Sequence, residues 1–161
     1  LEELGASNVE VIGNIKRAQL PKVSVELEKP NQVVITAAST HENEEKLILD
    51  AYKQEQGKLI IVPRHPERFE KVHLQILEFI KDKNISYQRY SIKDDFDSDI
   101  ILVDKMGILN DIYAISDVVI LGGAFEKIGG HNPIEPAFFN CKIISGKNIF
   151  NQKSLFDCIK N

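Results

Sequence analysis

The sequence predicts an α/β domain built on a doubly wound parallel sheet. Strand-type and helix-type segments alternate from Asn31 onward, the order that a parallel sheet with crossover helices requires. The strand-type segments are continuous apolar runs rather than alternating ones, as expected where helices cover both sheet faces. A chain of 161 residues is long enough for one domain with one real core.

Taken in order, "VEVI" at residues 9–12 is expected to be a short strand, followed by "GNIKRA". A polar stretch then runs to Pro30 and reads as a linker, with Pro21 and Pro30 as punctuation. "QVVITAAS" is a strand, and "THENEEKLILDAYKQEQG" a helix stopped by Gly57. "KLIIVP" is a strand, and "HPERFEKVHLQILEFIKDKN" a helix with Val72, Ile76, Leu77 and Ile80 on one stripe. "SYQRYS" is a strand, "IKDDFDSD" a solvated acidic turn, "IILVD" a strand and "GILNDIYAIS" a short helix. "DVVILGG" is a strand, "NPIEPAFFN" a helix, "CKIISG" a strand and "NQKSLFDCIKN" a last helix.

The formal net charge of -4 leans against nucleic acid or an anionic membrane as a partner of this segment. No apolar run approaches the roughly 20 residues of a membrane span, and no signal peptide is recognisable. Cys141 and Cys158 lack metal-type spacing and are expected to be free thiols in a reducing compartment. The chain opens at Leu1 in "LEELGAS", without an initiator methionine, and is expected to be a piece of a longer protein.

Polar residues gather where strands end. Ser39, Thr40, His41 and Glu42 follow the first apolar strand. Arg64, His65, Glu67 and Arg68 follow "LIIV", and Asp104, Lys105, Met106 and Gly107 follow "IILV". The stretch "GGAFEKIGGHNPIEP", Gly122 to Pro136, follows "VVIL". In a doubly wound sheet these loops converge on one edge, where ligands bind. Three of the four histidines, His41, His65 and His131, lie in them.

Each loop has a structural reading beside a functional one. Ser39-x-x-Glu42 has the pattern of a capping box, and the same helix start can attract an anion. Pro66 suits a first helical turn, and Arg68 can pair with a carboxylate. Arg64, just past a strand end, can grip a phosphate or carboxylate bidentately. Asn132, Pro133 and Glu135 again fit a capped helix start. Capping leaves Gly122, Gly123, Gly129 and Gly130 over. Glycine pairs serve where a backbone comes close to something or takes positive φ, and before a helix they can form an anion site.

Together, "AASTHENEE", "VPRHPERF", "DKMG", "YAISDVVILGG" and "GGAFEKIGGHNPIEP" resemble the 3-deoxy-D-manno-octulosonic acid (Kdo) transferases of lipopolysaccharide synthesis, in order and approximate spacing. "VIGNIK" is similar to the segment leading into the family's interdomain linker. The resemblance implies the C-terminal half of a GT-B glycosyltransferase: a Rossmann-like domain over residues 31–161 that binds the donor CMP-Kdo. Residues 1–30 would then be the end of the N-terminal domain and the linker. The missing N-terminal domain would carry the membrane anchor, the lipid A precursor site and the general base, so no catalytic residue is assigned here. The isolated chain is expected to be inactive and soluble, and the full protein to work at the cytoplasmic face of the bacterial inner membrane.

By the same resemblance, Arg64 contacts the donor phosphate or the Kdo carboxylate, and Ser39, Thr40 and His41 line that side of the cleft. Met106 and Gly107 lie along the cytosine. Gly129, Gly130 and His131 wrap the sugar and phosphate, Asn132 holds that loop or touches the donor, and Glu135 accepts from the ribose diol. Lys105, Ile108, Ala124, Glu126 and Lys127 depart from the family's usual residues, as does Asn140, which stands where glycine is common. No cofactor and no metal are implied. Two other readings stand beside this one: a GT-B enzyme using a UDP-sugar, and a non-catalytic nucleotide-binding α/β module.

Overall fold

A computed structural model describes Gly5, Ser7 and residues 20–159; the strand expected at residues 9–12 lies outside the described residues. The elements alternate as the sequence predicts. They are β1 (Val34–Thr40), α1 (Glu44–Ala51), β2 (Lys58–Pro63), α2 (Phe69–Ile80), β3 (Tyr87–Arg89) and β4 (Ile100–Leu102), then α3 (Leu109–Ile115), β5 (Val118–Leu121), α4 (Ile134–Phe138), β6 (Lys142–Ser145) and α5 (Lys153–Ile159). Short 3-10 turns at Gln54–Gln56 and Pro66–Arg68 precede β2 and α2.

The six strands form one sheet in the order β3-β4-β2-β1-β5-β6, every pair parallel. This is a Rossmann-like α/β fold. From β1 the chain works outward through β2 to β3 and β4, then crosses back to place β5 on the other side of β1. The winding reverses between β1 and β5, and in such sheets the crevice outside the carboxyl ends at that point receives ligands.

The continuous apolar strands divide between two cores by simple alternation. Ala37, Leu59, Ile61, Ile100 and Leu102 face α1 and α2, where Ile48, Leu49, Val72 and Ile76 close the layer. Val34, Ile60, Val62, Ile101 and Val103 face the opposite way onto Ile112 and Ile115 of α3. Val119, Leu121 and Phe156 extend that second core toward α5. On α2, Val72 and Ile76 are fully buried and Phe79 and Ile80 pack beside them, whereas Leu77 is exposed and lies off the stripe the sequence predicts.

The helices are shorter than the sequence predicts, and in α1 and α4 the backbone shows why. At the end of α1, Tyr52 turns into extended backbone and its hydroxyl donates to the Gly57 carbonyl at 2.8 Å, so a 3-10 turn replaces the last helical turn. α4 spans five residues and ends before Asn140, whose φ of 59° puts asparagine in the left-handed region where helix stops use glycine.

Residues that precede β1 are tied onto the domain by two aspartates. The Asp111 carboxylate accepts from the Ser24 N–H at 2.6 Å. Asp117 accepts from the Val34 N–H at 2.9 Å and from Lys29 at 2.6 Å. Cys141 and Cys158 are free thiols, and burial pushes the Cys141 thiol up to about 11. No helix among the described residues is long and apolar enough to cross a membrane.

The core makes a direct prediction. Ile76→Ala is expected to lower unfolding free energy by about 2–5 kcal/mol in urea titration, because a cavity opens between α2 and the sheet. Leu74→Ala, on the exposed face of the same helix, is expected to change it by less than about 0.5 kcal/mol.

Candidate functional site

The site forms around the end of β1. Pairing with β2 is regular to Ala38 and then slips, and Ser39 takes a φ of 53°. This bulge turns the strand end toward β5, so close that a Cβ on Gly122 would sit 2.4 Å from the Ser39 carbonyl oxygen. The capping box expected at Ser39 and Glu42 does not form. α1 starts four residues later than that box predicts, with Asn43 in left-handed conformation and no side-chain cap. The returning carboxylate is that of Glu44, which accepts from the His41 N–H at 2.9 Å. Glu42 stays on the surface, paired with Lys71.

Two adjacent carboxylates, both buried, organise the loops around this point. Glu44 accepts from the N–H groups of Gly123 at 2.9 Å and Phe125 at 3.2 Å, besides His41. Glu45 accepts a two-pronged grip from Arg68 at 2.6 and 3.0 Å and the Thr40 hydroxyl at 2.7 Å. Glu44 thus joins the β1 loop to the glycine loop after β5, and Glu45 joins it to the loop after β2. The pairing open to Arg68 is thereby filled. Neither glutamate stood out in the sequence. Their apolar neighbours Leu47, Ile48 and Leu49 offered one signal, since a helix whose first turn lies against the sheet buries whatever that turn carries.

The three histidines meet as the topology predicts. The Nε2 atoms of His41 and His131 lie 2.8 Å apart, with ring planes within 6° of each other. The His65 ring meets His41 edge-on, centroids 5.6 Å apart. A bond between two Nε2 atoms needs a proton on one and a lone pair on the other, so the pair cannot persist doubly protonated. Burial, helped by the charges of His41 and Arg64, pushes His131 down to about 4 against the pull of Glu44. Burial also lowers His41, and Glu44 again works in the other direction. Among the described residues no group of three His, Cys, Asp or Glu side chains could hold a metal ion.

Arg64 stands at the rim. Its N–H donates to the Thr40 carbonyl at 3.0 Å, and its exposed guanidinium has no hydrogen-bond or ion-pair partner among the described residues. Ser39 is nearly buried at the bulge. Thr40 is wholly buried and spends its hydroxyl on Glu45, so its side chain supports the loop and does not line the surface. Met106 and Gly107 are exposed in the β4 loop, one strand beyond the β2 loop. Beside them in sequence, a hollow of about 450 Å³ is lined by Tyr90, Ser91, Ile92, Asp94, Asp104 and Lys105. A larger one, about 820 Å³, lies between residues 25–32 and 94–97 and includes none of the residues predicted for the site.

The glycine pairs are accounted for by the protein's own packing. Gly123, at φ 73°, admits the His131 ring, 2.9 Å from where a Cβ would be. Gly129, at φ 114°, lies under Asn151, whose amide would be 2.0 Å from a Cβ. The Gly130 N–H closes the loop onto the Gly123 carbonyl at 2.7 Å. Segment 148–151 braces it from behind: Asn148 donates to the Phe125 carbonyl at 3.2 Å and Asn151 to the Ile128 carbonyl at 3.1 Å. Asn132 stands one residue before the N-cap of α4, which is Pro133 and not Asn132 as the sequence predicts; its side-chain oxygen still accepts from the Ile134 N–H at 3.0 Å. Glu135 returns to the Asn132 side-chain amide at 3.0 Å rather than to its backbone, which leaves its second oxygen without a partner among the described residues.

Arg64 and three imidazoles thus gather at the switch point of a doubly wound α/β domain, the edge at which such domains receive ligands. No protein-family model matches the chain. It is 38% identical over 166 residues to a bifunctional glycosyltransferase/methyltransferase of Fusobacterium nucleatum, covering 89% of this chain and 24% of that protein. It is 37% identical over 135 residues to the 3-deoxy-D-manno-octulosonic acid transferase of Haemophilus influenzae, covering 80% of this chain and 31% of the relative. Among solved structures it is similar to the C-terminal CMP-Kdo binding domain of WaaA from Acinetobacter baumannii. That match has 34% identity and a TM-score of 0.64 and covers 79% of this chain and 68% of that one. The chain belongs to the Kdo transferase family and corresponds to its C-terminal domain. It spans 24% and 31% of the length of these two curated relatives.

The buried imidazole makes stability depend on pH. His131 stays neutral in the folded chain down to about 4, while the unfolded chain takes up that proton near the ordinary 6.5. Between these values the unfolded state binds more protons, so stability falls as pH drops through the window. His131→Gln is expected to flatten the wild-type fall between about pH 6.5 and 4 in denaturation curves taken across that range.

Proposed function

We propose that this chain is the CMP-Kdo-binding domain of a GT-B glycosyltransferase that moves Kdo from CMP to a hydroxyl of a lipid A precursor, with inversion at the anomeric carbon. The observation that carries the reading is Arg64: a guanidinium without a partner among the described residues, beside the histidine cluster, at the switch point of the sheet. A charge held there without a carboxylate partner is matched to an anion supplied from outside. The similarity to a solved domain that binds CMP-Kdo supports that anion being the donor.

In this reading Arg64 grips the donor phosphate or the Kdo carboxylate. His131 and the glycine loop close over the sugar-phosphate side. The backbone N–H groups of His131 and Asn132 have no acceptor among the described residues and are available to an oxyanion. Donors fixed in place before the ligand arrives stabilise charge without reorganising, so the departing CMP phosphate is favoured as the bond to Kdo breaks. Glu135 offers its free oxygen to the ribose diol, and the Asn132 amide holds the carboxylate in place. Met106 and Gly107 present the β4 loop to the cytosine. Ser39 shapes the strand end, and Thr40 acts through Glu45.

The acceptor and the general base belong to the N-terminal domain of the full protein, which would work at the inner membrane. Residues 1–30 are the end of that domain and the linker to this one. The 161-residue chain would then bind donor without turning it over.

Thermal-shift and calorimetric titration test this. CMP is expected to raise the melting temperature, and UMP and UDP are not. Arg64→Ala is expected to weaken CMP binding about tenfold or more, the worth of one charge-assisted contact, and Glu135→Ala to weaken it in the same direction. Stabilisation by UDP but not CMP would reassign the domain to a UDP-sugar enzyme. CMP affinity unchanged in both variants would remove the site altogether.

A further inference from the structure

Glu44 belongs to no predicted site, yet both sides of the histidine pair hang on it. Its side chain is 1% exposed. One oxygen, Oε2, accepts from His41 and Gly123, both at 2.9 Å, and the other accepts from Phe125 at 3.2 Å. One donor comes from the β1 loop and two from the glycine loop, 79 and 81 residues away. We propose that Glu44 is a positioning residue for the donor site: by clamping the glycine loop to the β1 loop, it sets the His41–His131 contact and aims both loops at the ligand. The identity of that ligand rests on the CMP-Kdo reading above; the clamp itself does not.

The contacts run in an unbroken chain. Gly123 is bonded to Glu44, and the His131 ring lies on Gly123 so closely that a Cβ would meet Cδ2 at 2.9 Å. A shift of Gly123 therefore shifts the seat of His131. His41 is held by the same carboxylate oxygen through its backbone. A single carboxylate fixes both imidazoles, and a small displacement of it alters the 2.8 Å distance between them.

Only a glutamate meets the demand. The three donors require acceptors on both oxygens, so an amide would turn an N–H₂ group toward at least one backbone N–H. Aspartate keeps the charge but is one methylene short. The charge matters as well. Glu44 favours the protonated forms of both imidazoles, with Glu45 assisting at His41. Burial and His65 oppose it, joined by Arg64 at His131 and by Arg68 at His41.

The test uses the 161-residue chain with Glu44→Gln, Glu44→Asp and, as a stability control, Asp99→Asn. Asp99 also accepts backbone and hydroxyl hydrogen bonds, from Ser86, but lies just before β4 at the opposite edge of the sheet. Imidazole nitrogen NMR reads the pair directly, and calorimetry reads CMP. Glu44→Gln is expected to move the His41 and His131 Nε2 signals, to lower their protonation midpoints and to weaken CMP about tenfold, as loss of a charged acceptor implies. Glu44→Asp is expected to move the signals and weaken CMP while its midpoints stay closer to wild type, and it serves alone if the glutamine variant does not fold. Asp99→Asn is expected to lower the melting temperature and change neither readout. Wild-type imidazole signals in a folded Glu44 variant would overturn the proposal, as would equal changes in Asp99→Asn. If the wild-type chain binds no CMP, the donor reading fails, and the imidazole signals alone decide the role of Glu44.

Discussion

A carboxylate can stay charged inside a protein only when hydrogen-bond donors replace the water it has lost. Glu44 meets that condition with three backbone N–H groups from two distant loops, and the edge of the sheet is built around that solution. Each such bond to a charged acceptor contributes about 1.5–3 kcal/mol. The requirement also works in reverse. Loops with N–H groups to satisfy at the switch point find a buried acceptor in Glu44. Glu45 solves the same problem with Arg68 and Thr40, which fastens the β2 loop to the same strand end. Three strand-end loops are thereby held by one helical turn, and that turn belongs to the face already packed against the sheet.

The glycine loop depends on this arrangement from the front and on segment 148–151 from behind. Its glycines are required by close packing, with Ser39 and Glu44 against Gly122, His131 against Gly123 and Asn151 against Gly129. A loop so constrained is pre-organised. Its remaining free groups, the N–H donors before α4 and the outer oxygen of Glu135, are presented at fixed positions, and less ordering entropy is lost when a ligand arrives.

The charge of this edge is set by pairing. Arg68 is neutralised by Glu45, and Arg89 by Asp104 and Glu70, whereas Arg64 is left open beside imidazoles that burial keeps short of protons. A chain of net charge -4 therefore holds at its switch point a guanidinium, that of Arg64, with no ion-pair partner among the described residues. The local field is favourable to anions although the overall charge is not.

The sequence by itself determined the layer architecture, because continuous apolar strands alternating with helical segments can bury themselves only as a covered parallel sheet. β2 occupies the predicted Lys58–Pro63, and the convergence of His41, His65 and His131 followed from strand-end positions alone. The family was also legible there, in "STHE", "PRHPERF" and "GGHNPIEP". Helix starts and the clamp were not. In "HENEEK" three glutamates look alike, and capping logic selected Glu42 because it sees only local spacing. Only the tertiary structure decided that Glu42 faces solvent while Glu44 and Glu45 are buried. The donors that make the difference, the N–H groups of Gly123 and Phe125, come from some eighty residues away, and no local pattern records a hydrogen bond across that distance.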